Sequence, residues 1–195
     1  MKAGADLPSA RPLLLAGVGN PDRGDDGFGP AVLARLTKRC LPNADTMVCR
    51  RPLDLLDLWP GRQLVLLVDA ALPQGKPGRL FRLDPLRLRS PLPASASTHS
   101  LGLVQAIELG RSLGLLPARL ILYAAEGLDF SPGAPLSPPV AAAVEEAVRR
   151  IRREWLRPEA ETGAGGTAQE TKLSRHRNAV IDQTNQPNFP AKNRK

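Results

Sequence analysis

The chain is short of aromatic residues, cysteine and histidine. Phe, Trp and Tyr together make up 4% of its 195 residues, so Leu, Val and Ala have to build any core. The two cysteines, Cys40 and Cys49, exclude a disulfide scaffold, and they are nine residues apart with no C-x-x-C spacing. Both read as core thiols, Cys40 on the apolar face of a helix. Of the two histidines, His176 lies in a polar C-terminal stretch, so a Ser-His-Asp or Cys-His system would need His99 itself. No apolar run reaches the roughly 18 residues of a transmembrane helix. Leu13–Val18 is too short for a signal-peptide core and leads straight into charged sequence. The expectation is a cytoplasmic protein with no membrane association.

What is abundant is positive charge, with a net +8. Alone, that excess suggests a polyanion partner. Its distribution argues otherwise. Residues 1–148 hold 16 basic and 14 acidic side chains, whereas residues 149–195 hold 11 and 5. Arg149, Arg150, Arg152, Arg153 and Arg157 end a helix, where cations favour the helix dipole. The aromatic among them, Trp155, falls on the apolar stripe of that helix, and no known nucleic-acid module accompanies them, so no nucleic-acid role is expected. Residues 157–195 contain only 9 of the AVILMFWYC set, too few to offset the entropy of ordering them. They read as a disordered basic tail behind a single folded domain, residues 1–156.

Within that domain, strand-like and helix-like pieces alternate. Pro12–Val18 and Leu64–Val68 are continuous apolar runs, the pattern of parallel strands buried on both faces. Thr46–Cys49 and Leu120–Tyr123 are further strands, and the alternating Arg79–Leu83 is an edge strand. Pro30–Cys40 is a helix with Val32, Leu33, Leu36 and Cys40 on one face, stopped by Pro42. Asp54–Trp59 is a short helix. Ser97–Leu113 is a longer one, capped by Ser97 or Thr98 and ended by Gly114. Ser137 caps a last helix with Pro138 first and Val140, Val144, Val148, Ile151 and Trp155 as its buried stripe. The order β-α-β-α-β-β-α-β-α predicts a three-layer α/β/α sandwich with a twisted, mostly parallel sheet.

The loop Gly17-Val18-Gly19-Asn20-Pro21-Asp22-Arg23-Gly24-Asp25-Asp26-Gly27-Phe28-Gly29-Pro30 follows a strand and opens a helix. That context suits a dinucleotide, but the glycines run G-x-G-x-x-x-x-G rather than G-x-G-x-x-G. Asp25 and Asp26 would repel a phosphate there, and no G-K-[ST] follows. Asn20 suits an Asx turn, and Phe28 a core position. Asp69 closes an apolar strand, and His99 opens a helix. In a parallel α/β fold the strand ends and the following helix starts face one edge, where sites assemble. Asp26, Asp69 and His99 can therefore converge. Two carboxylates and an imidazole suit a borderline divalent ion such as nickel or zinc, and three protein ligands leave positions open for chemistry.

These residues resemble those of the hydrogenase maturation proteases, which process the large subunit of nickel–iron hydrogenases. GVGNPDRGDDGFGP, 17–30, is similar to the family's N-terminal signature, whose second acid is a metal ligand, here Asp26. LVLLVDAA, 64–71, is similar to the strand that carries the second ligand, here Asp69. STHSLGL, 97–103, is similar to the segment that carries the third, here His99. Gly133–Pro138 resembles the start of the family's last helix. The resemblance covers about residues 12–156, and the basic tail lies outside it. It implies an α/β/α sandwich and an endopeptidase of the aspartic type that recognises metal. Such an enzyme removes a C-terminal extension from the precursor after nickel insertion, the nickel being supplied by the substrate. On this view Asp26, Asp69 and His99 engage the nickel, and Asp25 is a base or a supporting group. The alternative is a non-catalytic nickel-recognition or assembly module on the same scaffold.

Overall fold

The computed structural model describes residues 12–37, 44–88 and 100–155. The tail from 157 onward, Cys40, the Ser97/Thr98 cap and His99 lie outside the described residues. Five strands form one sheet: β1 (Leu13–Val18), β2 (Ala44–Cys49), β3 (Leu64–Ala71), β4 (Leu80–Leu83) and β5 (Leu120–Glu126). Their spatial order is β2-β1-β3-β5-β4. All neighbours are parallel except β4, which runs antiparallel on the edge of β5. The alternating strand is thus the edge strand, and the continuous apolar runs β1, β3 and β5 are interior.

Helices cover both faces. α1 (Phe28–Thr37) and α4 (Pro138–Trp155) lie on one side. Phe28, Val32, Leu36, Val140, Val144, Val148 and Ile151 pack there against Leu15, Leu66, Val68, Ile121 and Tyr123. α2 (Leu55–Leu58) and α3 (Ser100–Leu113) cover the other. Leu55, Trp59, Leu103 and Ile107 pack there against Leu14, Ala16, Val65, Leu67, Leu120 and Leu122. The alternation of the strand residues between these two cores is the period of two that a pleated strand imposes. The three-layer α/β/α sandwich is present as the pattern of runs predicts.

Several features differ from the sequence expectation. α1 begins at Phe28, two residues before Pro30, because a short 3-10 turn, Gly24–Gly27, feeds directly into it. The 54–59 helix is split into a 3-10 turn, Pro52–Asp54, and the single turn of α2. β3 and β5 outrun the expected ends, because each pairs the other from Val65↔Leu120 to Ala71↔Glu126 after β1 has stopped at Gly17↔Val68. Asp69 is therefore inside a strand, opposite Ala124, rather than after one. Finally, Ser137 ends the loop before α4 and its carbonyl accepts the Ala141 N–H, but its hydroxyl points away from the helix, to Asp25.

Candidate active site at the carboxyl edge of the sheet

β1 hands the chain to the Gly19–Gly27 loop at the carboxyl edge. Gly19 has φ 129°, a conformation few side chains adopt, and a Cβ there would lie 2.0 Å from the Asp26 carbonyl oxygen. Its N–H donates to the Cys49 carbonyl at the end of β2. Asn20 Oδ1 accepts the Asp22 N–H at 3.1 Å, so its side chain closes the Asx turn. The Asn20 N–H donates to Asp26 Oδ2 at 2.9 Å. The loop thus folds back on itself and holds the Asp26 carboxylate at its mouth.

Gly29 brings the start of α1 onto the sheet: a Cβ there would sit 2.3 Å from the Val68 carbonyl oxygen. The 3-10 turn with Asp26 consequently rests against β3. Asp69 lies just past the point where β1 stops pairing with β3. Its Oδ1 accepts the Ala70 N–H at 2.7 Å. Asp26 is 4% exposed and Asp69 is fully buried. The structure brings these two residues to one rim, while His99 is outside the described residues. Among the described residues, no three His, Cys, Asp or Glu side chains form a metal-holding group.

Asp25 occupies a different place. Its side chain turns into the protein, fully buried. Oδ2 accepts the N–H groups of Leu128 (2.7 Å) and Asp129 (3.0 Å) and the Ser137 hydroxyl (2.8 Å). Oδ1 accepts the Ser137 N–H at 2.7 Å. Four donors on one carboxylate tie the loop after β5 and the entry to α4 to the turn that carries Asp26. Hydrogen bonds to a charged group contribute about 1.5–3 kcal/mol each, so Asp25 is a principal fastening of this edge.

Cys49 ends β2 beside the rim. Its thiol is buried and donates to the Arg51 carbonyl at 3.0 Å. Burial pushes the thiol above its ordinary value, and the charges of Asp54 and Asp69 push it the same way. It is a core thiol, as its context suggests.

One buried acid escaped the sequence reading. Glu126 ends β5, is fully buried, and its Oε1 accepts the N–H groups of Gln74 and Lys76, each at 2.6 Å. The run of bulky apolar residues ends at Tyr123, which by sequence alone puts Glu126 in a loop, whereas β5 runs on to Glu126. The signal was available: LILYAAE closes an apolar run on an acid much as LVLLVDAA carries Asp69.

A doubly covered, mostly parallel sheet with buried acids at the carboxyl edge of neighbouring strands defines the class, an α/β/α protein of the kind whose sites assemble on that edge. A family model described as hydrogenase maturation protease matches residues 50–154. Asp69, the 97–103 segment and the 133–138 stretch fall inside that match, and the Gly17–Pro30 motif precedes it. The hydrogenase 2 maturation peptidase from a Thaumarchaeota archaeon is a structural neighbour at 30% identity, with TM-score 0.55 over 74% of this chain and 99% of its own. An endopeptidase from Escherichia coli aligns at 24% identity and TM-score 0.63, over 72% of this chain and 92% of its own. The NiFe hydrogenase maturation protease HybD from Thermococcus kodakarensis aligns at 23% identity and TM-score 0.60, over 72% and 97%. No curated protein matches the chain. The chain belongs to the hydrogenase maturation protease family. No helix among the described residues is long and apolar enough to cross a membrane.

Proposed function

We propose that this protein is an endopeptidase that removes a C-terminal extension from the nickel-loaded precursor of a nickel–iron hydrogenase large subunit. The observation that supports the reading is that two buried acids, Asp26 in the turn after β1 and Asp69 just past the end of the β1–β3 pairing, lie at the carboxyl edge of neighbouring strands. Oxygen donors of this kind, joined by the His99 imidazole, suit a borderline divalent ion carried by the substrate. The nickel, when bound, supplies a Lewis acid near the scissile carbonyl. Asp26, Asp69 and His99 hold the precursor by that ion and so fix the position of the bond to be cut. Asp25 supports the site: its four hydrogen bonds commit both oxygens to the loop behind Asp26. The protein acts in the cytoplasm, on a protein partner, with no nucleic acid or membrane involved.

The test is incubation of the purified chain with precursor that carries nickel and with precursor that does not. Mass spectrometry should detect loss of a C-terminal peptide from the nickel-loaded form alone. His99→Ala should abolish that loss and leave the far-UV circular dichroism unchanged. Binding of the loaded precursor with no mass loss by the wild-type chain would favour a recognition or assembly module instead.

A further inference from the structure

The buried carboxylates at the carboxyl edge are not equally committed. Asp25 spends both oxygens on four donors. Asp26 and Asp69 are assigned above to the substrate's metal. Glu126 remains. One of its oxygens is fixed by the Gln74 and Lys76 N–H groups. The other, Oε2, is buried and has no hydrogen-bond partner among the described residues. A buried acceptor left unmatched is costly, and such a group in a folded protein calls for an explanation.

The register says where this oxygen belongs. β3 and β5 are parallel, with Asp69 opposite Ala124 and Ala71 opposite Glu126. Side chains alternate along a strand, so Asp69, Ala71, Ala124 and Glu126 share one face. Ala71 and Ala124 pack in the core beneath α2 and α3, which identifies that face. Glu126 is one strand across from Asp69 and two residues further toward the edge. Strand spacing and rise put their Cα atoms roughly 8 Å apart. The two residues between them are alanines, so no bulky side chain separates the carboxylates.

The backbone around Glu126 is fixed as well. Its N–H donates to the Arg79 carbonyl, its carbonyl accepts the Gly78 N–H at 2.7 Å, and the Gly127 N–H donates to the Ala71 carbonyl. The β3–β4 connection is therefore fastened to Glu126 at several points, and Oε2 is held in one orientation. A fixed carboxylate oxygen with no protein partner among the described residues, on the same sheet face as Asp69, can accept a proton from a water that the bound substrate brings to it.

We propose that Glu126 is a catalytic residue of the hydrolysis, the general base that takes a proton from the attacking water at Oε2. This rests on the protease reading. An O–H bond of water breaks and its proton goes to Oε2. The water oxygen bonds to the scissile carbonyl carbon. The C–N bond then breaks, and the proton passes from Glu126 to the leaving amine. The products are a new carboxyl terminus on the subunit and a free amine on the extension, with Glu126 again a carboxylate. Hydrolysis needs no oxidant or further reactant.

The full-length chain with a nickel-loaded precursor tests this. Glu126→Gln keeps an acceptor for the Gln74 and Lys76 N–H groups but cannot take the proton. It should lower kcat by about 10²–10⁴-fold. KM, affinity for the loaded precursor and exchange protection of the Gln74 and Lys76 amides should stay at wild-type values. Glu126→Asp, which keeps the carboxylate, should recover part of the rate. Wild-type kcat in Glu126→Gln overturns the proposal and leaves Glu126 a loop fastening. Weakened binding of the loaded precursor in parallel with kcat overturns it too, in favour of a metal ligand. Should Glu126→Gln fail to fold, Glu126→Asp carries the test: a lowered kcat with a displaced acid limb supports the base, and an unchanged profile overturns it. A wild-type chain that cleaves nothing brings down the protease reading and this proposal with it. Cleavage by wild type together with an unaffected Glu126→Gln sinks this proposal alone.

Discussion

Asp25 and Ser137, 112 residues apart, are joined twice: Asp25 Oδ1 accepts the Ser137 N–H and Oδ2 accepts its hydroxyl. With the Leu128 and Asp129 N–H groups on the same carboxylate, this closes the loop after β1 against the loop after β5. Asp25→Asn replaces one acceptor oxygen with an NH2 group that faces N–H donors. The expected loss of stability is about 3 kcal/mol, because buried donors are left unpaired. Ser137→Ala removes only the hydroxyl and should cost about 1 kcal/mol. Urea denaturation of the two single variants and the double variant should show strong coupling, the double costing less than the sum. Additive effects would mean that the pair is not a unit.

Gly19 is the hinge on which Asp26 depends. Its φ of 129° and the 2.0 Å approach of the Asp26 carbonyl to any Cβ leave no room for alanine. Gly19→Ala should destabilise the fold by about 1–3 kcal/mol, the usual range for forcing a side chain into such backbone. It should also impair precursor cleavage well beyond the folded fraction lost, because Asp26 is displaced. A variant that melts lower yet keeps wild-type kcat when fully folded would show that Asp26 tolerates movement.

The sandwich itself was legible because β1, β3 and β5 must be apolar on both faces, and such runs stand out in a sequence. The rim was legible for Asp26 and Asp69, since acids beside apolar strands are conspicuous. The strand ends were not. β3 and β5 extend past Asp69 and Tyr123 only because each supplies the other with hydrogen-bond partners. No local propensity encodes that, and Glu126 was missed as a result. The role of Asp25 was equally hidden, because its partners lie more than 100 residues away. The residues after Ser137 mark it as the cap of α4, while its hydroxyl is claimed by that distant acid.

Cys49 should be chemically quiet in the native protein. Its thiol is buried and its pKa raised chiefly by burial, so it stays protonated near pH 8, and the thiolate is the reactive form. In a Cys40→Ser background, iodoacetamide at pH 8 should label native protein much more slowly than protein in guanidinium chloride. Raising the pH should accelerate native labelling only at values above those that activate an ordinary thiol. Equal rates in the native and denatured states would mean that the end of β2 is open to solvent.

Asp26→Asn and Asp69→Asn separate charge from shape at the rim. Each asparagine keeps an oxygen for its backbone donor, the Asn20 N–H in one case and the Ala70 N–H in the other. Neither substitution creates a cavity. Far-UV circular dichroism identifies the folded fraction of each variant, and the comparison is made on folded protein. Under the proposed function, what they lose is a carboxylate donor for the substrate's nickel, which an amide oxygen replaces poorly. Affinity for the nickel-loaded precursor should fall, cleavage should fall by about 10²-fold or more, and affinity for a nickel-free precursor should not change. The last comparison decides the matter. Equal weakening toward loaded and nickel-free precursor would mean that Asp26 and Asp69 shape the docking surface rather than engage the metal.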